Sequence, residues 1–224
     1  MSATARDDVR VAGNAATAAP RNVKVQRLAI FRNGLAGYSG ARDVTISNQN
    51  GGNGLTQRTG MLQPYLVGGP NGYEKAALLR FNSLNLPAGA QVTGAALTVV
   101  FHNFSTGFAL RGRYLKAAWS DGSLALGWQL AAPNQPWTVP GAKGEGSDVV
   151  LVRSFLIETF AGSGDEVKSI GLDVAVVQQW VADPATNQGL ILVNQNADKL
   201  TRLYSSEASV IGRRPMLQIT YVTP

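Results

Sequence analysis

An all-β chain is what this sequence predicts: a jelly-roll-like antiparallel β-sandwich with one short inserted helix and an extended N-terminal arm. Three observations carry that prediction. Charged residues make up only 15% of the 224 residues, while 25 are glycine and 10 proline, a balance rich in turns and poor in exposed helix. Hydrophobic residues reach 45%, enough for a substantial core. Two long stretches, Lys75 to Leu97 and Ile170 to Tyr221, read mainly as strands of a half-buried sheet, and long amphipathic helical patterns are almost absent. A sandwich of this kind often runs ~200–250 residues as a single unit, so one domain is expected.

The elements follow in order. Residues 1–22 are small and polar, too poor in large apolar side chains to offset their own ordering entropy, and are expected to form an arm rather than part of the core. The sandwich is assigned to residues 23–224. Val23, Val25 and Leu28 to Phe31 suggest a first strand, closed by glycine-punctuated turns at Gly34 and Gly37 to Gly40. Asp43 to Ser47, Tyr65 to Val67, Ala76 to Phe81, Val92 to Phe101 and Phe108 to Trp119 read as further strands. A long irregular segment occupies 120–148, with Trp119, Trp128 and Trp137 in or beside it. Val149 to Ile157 resumes the sheet. Asp173 is placed to cap a short helix whose Val176, Val177, Trp180 and Val181 share one face, and Asp183-Pro184 stops it. Gly189 to Asn194, Leu203 to Ser206 and Pro215 to Val222 complete roughly nine or ten strands. No internal repeat or inter-domain linker is visible.

Cysteine is absent, which removes disulfides, thiolate nucleophiles and Cys-ligated zinc together. The net charge is +6, and its distribution is uneven: residues 1–34 hold six basic and two acidic residues, +4, which leaves 14 basic against 12 acidic, +2, for the remainder. The charge of this N-terminal stretch, residues 1–34, suits an anionic polymer or an acidic neighbouring subunit. Nucleic acid is disfavoured, because the arm lacks interleaved aromatics and the remaining chain is nearly neutral. Met1 to Asp8 lacks the apolar stretch of a signal peptide, and no apolar run is long enough to span a membrane.

Several ordered blocks carry a resemblance. They are Gly37-Tyr38-Ser39-Gly40-Ala41-Arg42-Asp43, Ala77-Leu78-Leu79-Arg80-Phe81 with Leu86-Pro87-Ala88-Gly89, and Trp119-Ser120-Asp121. Trp137 to Ala142 with Asp148, Leu172-Asp173 with Gln179-Trp180, Asn187-Gln188-Gly189, Tyr204 to Glu207 and Arg214 to Leu217 continue them. Over about residues 35–222 the chain resembles the bacterial DNRLRE domain, a β-sandwich class with relatives among carbohydrate-binding modules. It departs from that pattern at Leu124 to Gln129, where a threonine-tryptophan-asparagine run is replaced and only Trp128 remains. The resemblance implies a non-catalytic, usually extracellular module; an extracellular or cell-surface location is expected from it, and a virion location belongs to the alternative of a structural subunit.

His102 is the only histidine, and without a visible partner it reads as a surface or turn residue rather than a member of a triad. Asp121, Glu145, Asp148 and Glu158 are solvated loop acids before they are a glycosidase pair, since sequence spacing in an all-β fold does not bring them together. Arg80 and Glu207, each beside large apolar residues in its strand, are expected to form a structural ion pair tying two strands. Arg111, Arg113 and Lys116 are candidate ligand-binding cations, the first two on one strand face by period-two spacing. Trp128 and Trp137 are candidate sugar-stacking platforms or, alternatively, plugs for the end of the sandwich, as Trp119 is expected to be. Asp43 with the Asn48–Gly54 loop offers oxygens to a Ca²⁺ ion without the spacing of an EF-hand; otherwise no cofactor is expected. Together these readings anticipate a module that binds a polysaccharide or surface glycan. The alternative is a structural subunit of a virion or extracellular filament, clamped to a neighbour by its N-terminal arm.

Overall fold

The computed structural model describes residues 24–49, 54–57, 60–62, 64–66, 72–102, 105–121, 123–159, 164–199 and 201–223. The proposed N-terminal arm and most of the Asn48–Gly54 loop lie outside the described residues.

The chain is an all-β sandwich with one α-helix. Sheet A orders β1 (Gln26–Phe31), β15 (Met216–Val222), β7 (Gln91–His102), β14 (Leu203–Tyr204) and β4 (Met61–Leu62), with β12 (Asp165–Gly171) also paired to β7. Sheet B orders β11 (Val149–Glu158), β8 (Ala109–Leu115), β13 (Leu190–Asn194), β6 (Glu74–Phe81), β2 (Ala41–Ser47) and β3 (Gly54–Gln57), with β5 (Tyr65–Leu66) beside β6. Each of these strand pairs is antiparallel. A small hairpin of β9 (Leu130–Ala132) and β10 (Gln135–Pro136) stands apart.

Alternation along each strand decides where the core sits. Ala77, Leu79 and Phe81 of β6, Leu110 and Tyr114 of β8, and Leu190 and Leu192 of β13 face Leu97, Val99 and Phe101 of β7 and Leu217 and Ile219 of β15. Each such side chain taken out of water contributes ~1.5–3 kcal/mol. The helix α1 (Val174–Ala182) closes one end of this core with Val176, Val177 and Trp180. Its predicted cap forms: the Asp173 carboxylate accepts the Ala175 and Val176 N–H groups at 2.9 and 3.2 Å, a contact worth ~1 kcal/mol. Gln178 on the helix then takes a strand's place beside β7, accepting the Val92 N–H at 2.7 Å.

Several elements differ from the sequence reading: β3, β4, β9 and β10 form where no strand is expected, so the described residues hold fifteen strands rather than nine or ten. The strand expected to run to Trp119 ends at Leu115, where the Lys116 and Ala117 N–H groups turn to the Asp148 carbonyl. β12 was not anticipated. Its half-buried positions are Glu166, Lys168 and Ile170, and the first two neutralise each other at 2.5 Å, so Ile170 is the one apolar residue on the buried side.

Candidate functional site

Sheet B is buried on both faces. Its outer face carries Val44, Ile46, Ala76, Leu78 and Ile191, an apolar surface that requires cover, and residues 117–142 supply it with Trp119, Leu126, Trp128, Ala131, Trp137 and Ala142. Trp119, Trp128 and Trp137 are only 4%, 5% and 3% exposed. Their indole N–H groups are used internally where bonds form: Trp119 donates to the Gln188 carbonyl at 2.8 Å and Trp137 to that of Gly127 at 2.9 Å. Gly141, in a left-handed turn with φ +81°, lets the chain pass over Trp128; a Cβ there would stand 2.6 Å from the ring. Trp128 and Trp137 are therefore not sugar-stacking platforms. An indole in the cover is worth more against the apolar sheet than held in water.

The cover is fastened by charge. The Arg80 guanidinium lies 4.6 Å from the centroid of the Trp119 ring, with Gln188 Oε1 at 3.2 Å and Asp121 at 4.0 Å. Arg42 joins Asp121 at 3.2 Å. The expected Arg80–Glu207 pair does not form, and strand alternation gives the reason. Arg80 shares the outer face with Leu78, while Glu207 neighbours Asp43, whose side of β2 is that of Ala41 and points between the sheets. Glu207 instead accepts a hydrogen bond from the Ser206 hydroxyl at 2.8 Å.

Arg111 and Arg113 do share a face, as their spacing predicts, but they meet different surroundings. Arg111 is exposed; Arg113 is partly buried and paired with Glu145. Burial and, secondarily, the neighbouring Arg111 charge lower the Arg113 pKa. Lys116 donates to the Gly146 carbonyl at 2.8 Å. Arg113 and Lys116 thus hold one strap, residues 144–148, against β8. Asp148, 1% exposed, knots the same strap by accepting the N–H groups of Thr138, Val139 and Gly144 at 2.8–2.9 Å. Glu158 is exposed at the end of β11. Asp121, Glu145 and Asp148 each serve separate partners.

An open cleft of about 670 Å³ lies where this strap, β11 and α1 meet. Lys116, Gln179 and Thr186 give it polar groups, and Val150, Leu151 and Trp180 give it apolar ones. Its β11 wall is shaped by a bulge. Pairing with β8 skips from Val149 to Ser154, and Val152 takes φ +60°, a conformation that β-branched residues rarely adopt. Leu151 and Val152 are consequently 60% and 89% exposed. The helix wall is fixed by Asp173, which pairs with Arg153 of the bulge and donates its N–H to the Tyr114 hydroxyl at 2.6 Å. Of the sequence-predicted cations, only Lys116 lines this cleft.

Away from the cleft lining, four elements meet at Asp165. Its carboxylate is 2.6 Å from His102 Nδ1, accepts the Tyr204 hydroxyl at 3.1 Å and lies 2.7 Å from Arg213 Nε. The Arg213 guanidinium also stacks 5.0 Å from the Tyr204 ring centroid. Desolvation alone would raise the Asp165 pKa; the His102 and Tyr204 hydrogen bonds and the Arg213 charge outweigh it and hold the carboxyl below its usual range. His102 therefore has a partner that sequence reading missed. The two residues are 63 positions apart on β7 and β12, and nothing in their local patterns links them.

Among the described residues, no group of three or more His, Cys, Asp or Glu side chains gathers as a metal cluster, and no helix is long and apolar enough to cross a membrane. The class defined by these features is a two-sheet β-sandwich with a tryptophan-rich cover and a cleft of mixed polarity. No family model and no curated protein matches the sequence.

Proposed function

We propose that this protein is a non-catalytic β-sandwich module that binds a polysaccharide or surface glycan in the cleft between β11 and α1. The observation that carries the reading is the cleft's lining. A pyranose ring presents hydroxyls at its rim and a C–H face at its centre. Lys116, Gln179 and Thr186 beside Val150, Leu151 and Trp180 offer partners for both. The resemblance to the DNRLRE domain supports the same reading, as well as an extracellular or cell-surface setting. The test is retention on acidic and neutral polysaccharides by affinity electrophoresis and a glycan array. Binding is expected from the intact chain and lost when the cleft is filled by Gln179→Trp or Thr186→Arg. A folded wild type retained by no polysaccharide would sink the proposal.

A second reading, a subunit of a virion or extracellular filament, is favoured by the rim of sheet B. β11 is an edge strand that exposes Leu151, Val152 and Leu156, the last at 53%. Such edges tend to pair with another chain unless guarded. Light scattering across a concentration series should then show association that Leu151→Lys with Leu156→Lys abolishes. Deleting residues 1–22 tests whether the N-terminal segment acts as the clamp.

A further inference from the structure

The inward side of β2 changes character along its length. Ala41 joins the apolar core, but the next three positions on that side are Asp43, Thr45 and Ser47, which are 5%, 2% and 4% exposed. The turn after β14 faces them with Ser205 and Ser206, each 1% exposed. Asp43 Oδ2 accepts the Ser206 N–H at 2.5 Å, and the Ser206 hydroxyl binds the Glu207 carboxylate at 2.8 Å, so one serine brings two carboxylates together. Asp43 Oδ1 is shut away from solvent with no hydrogen-bond partner. Burial first, and the Glu207 charge second, push the Asp43 carboxyl up to about 8. Among the described residues, neither Asp43 nor Glu207 forms an ion pair with a basic side chain.

A nearly buried carboxylate beside a second carboxylate, with no ion-paired cation among the described residues, is a costly arrangement for a protein to keep. Its surroundings are rich in oxygen donors, the set preferred by hard cations, and two carboxylates match the charge of one divalent ion.

We propose that Asp43 and Glu207 form a binding site for a hard divalent cation of the calcium class. Asp43 is the buried anchor, Glu207 the ligand on the solvent side, and serine hydroxyls with water fill the remaining positions. This site is separate from the cleft between β11 and α1, and its occupancy does not depend on glycan binding.

Calorimetric titration of the full chain with CaCl₂ after dialysis against EDTA tests the proposal, together with thermal melts in both conditions. The expected result is saturable binding and a melting midpoint that climbs with calcium and returns on adding EDTA. Asp43→Asn should abolish both effects, and Glu207→Gln should weaken calcium affinity by roughly tenfold or more, since affinity follows the ligands' charge count. A wild type showing neither heat nor midpoint shift in millimolar Ca²⁺ or Mg²⁺ overturns the site. So does calcium affinity unchanged in Glu207→Gln, which places the ion elsewhere. If Asp43→Asn fails to fold, the exposed Glu207 substitution decides alone.

Discussion

Arg80 stacks on Trp119, its guanidinium carbon 4.6 Å from the ring centroid, and so joins sheet B to the segment that covers it. The same side chain reaches Asp121 in that covering segment and Gln188 in the loop before β13. Burial lowers the Arg80 pKa, with Asp121 working in the opposite direction. Arg80→Lys keeps the charge but loses the planar stack and the fork of donors. A loss of about 1–2 kcal/mol is expected in urea unfolding, with an unchanged m-value.

Trp128 gives the larger effect. It is 5% exposed between Gly141 and the outer face of sheet B, and Lys143 lies 5.0 Å from its ring centroid. Trp128→Ala should cost about 3–5 kcal/mol, measured by chemical denaturation. A loss below about 1 kcal/mol, the scale of ordinary surface substitutions, would show that the indole is not a core residue.

Gly112 sits directly opposite Phe155 in the β8–β11 pairing, and a Cβ there would run into the Phe155 ring. Phe155 in turn meets Tyr114 edge-on, with centroids 5.9 Å apart. Gly112→Ala is expected to destabilise the protein, and Phe155→Leu should recover part of the loss when combined with it. Additive losses in that double-mutant cycle would show that the ring does not fill the glycine's place.

The buried Asp43 makes stability depend on pH in an uncommon direction. Its folded-state pKa is raised to about 8, above the unfolded value. The contribution to stability is therefore fully present below the unfolded carboxylate pKa and is lost as pH rises through about 8. In EDTA, the wild type should lose stability across that window, and Asp43→Asn should flatten the dependence and be the more stable protein at pH 8. A wild type that gains stability from pH 5 to pH 8 relative to Asp43→Asn would contradict the assignment.

Asp165 works with the opposite sign. Its pKa is lowered, so its contribution is present above the unfolded carboxylate pKa and falls away as pH drops through the folded value. Asp165→Asn should remove that acid-side loss and free η2 (Ile211–Arg213), where Arg213 is its partner. Faster amide exchange at residues 211–214 in the variant, at neutral pH, is the measurement.

Where the sequence was informative, a local rule was at work. The Asp173 cap, the apolar face of α1 and the extents of β6, β7 and β15 each depend on neighbours within a few residues, and each is legible in the sequence. The shared face of Arg111 and Arg113 was legible for the same reason. What escaped depends on pairs that only the fold brings together. Arg80 finds Asp121 rather than Glu207 because outer and inner faces alternate on sheet B, and which face received the cover cannot be seen in the strand alone. His102 and Asp165 meet across β7 and β12, and β12 itself was hidden because Glu166 and Lys168 occupy its half-buried side. The tryptophans were read as either platforms or plugs, and only the apolar outer face of sheet B decides between those roles.

That roofed sheet has a practical consequence. A protease cut anywhere between Trp119 and Ala142 would leave the strands in place but loosen their lid, uncovering a plane of Val44, Ile46, Leu78 and Ile191. Nicked molecules would then stick to one another along that greasy plane, so clipping this segment should convert dispersed protein into precipitate well before the sandwich itself unravels.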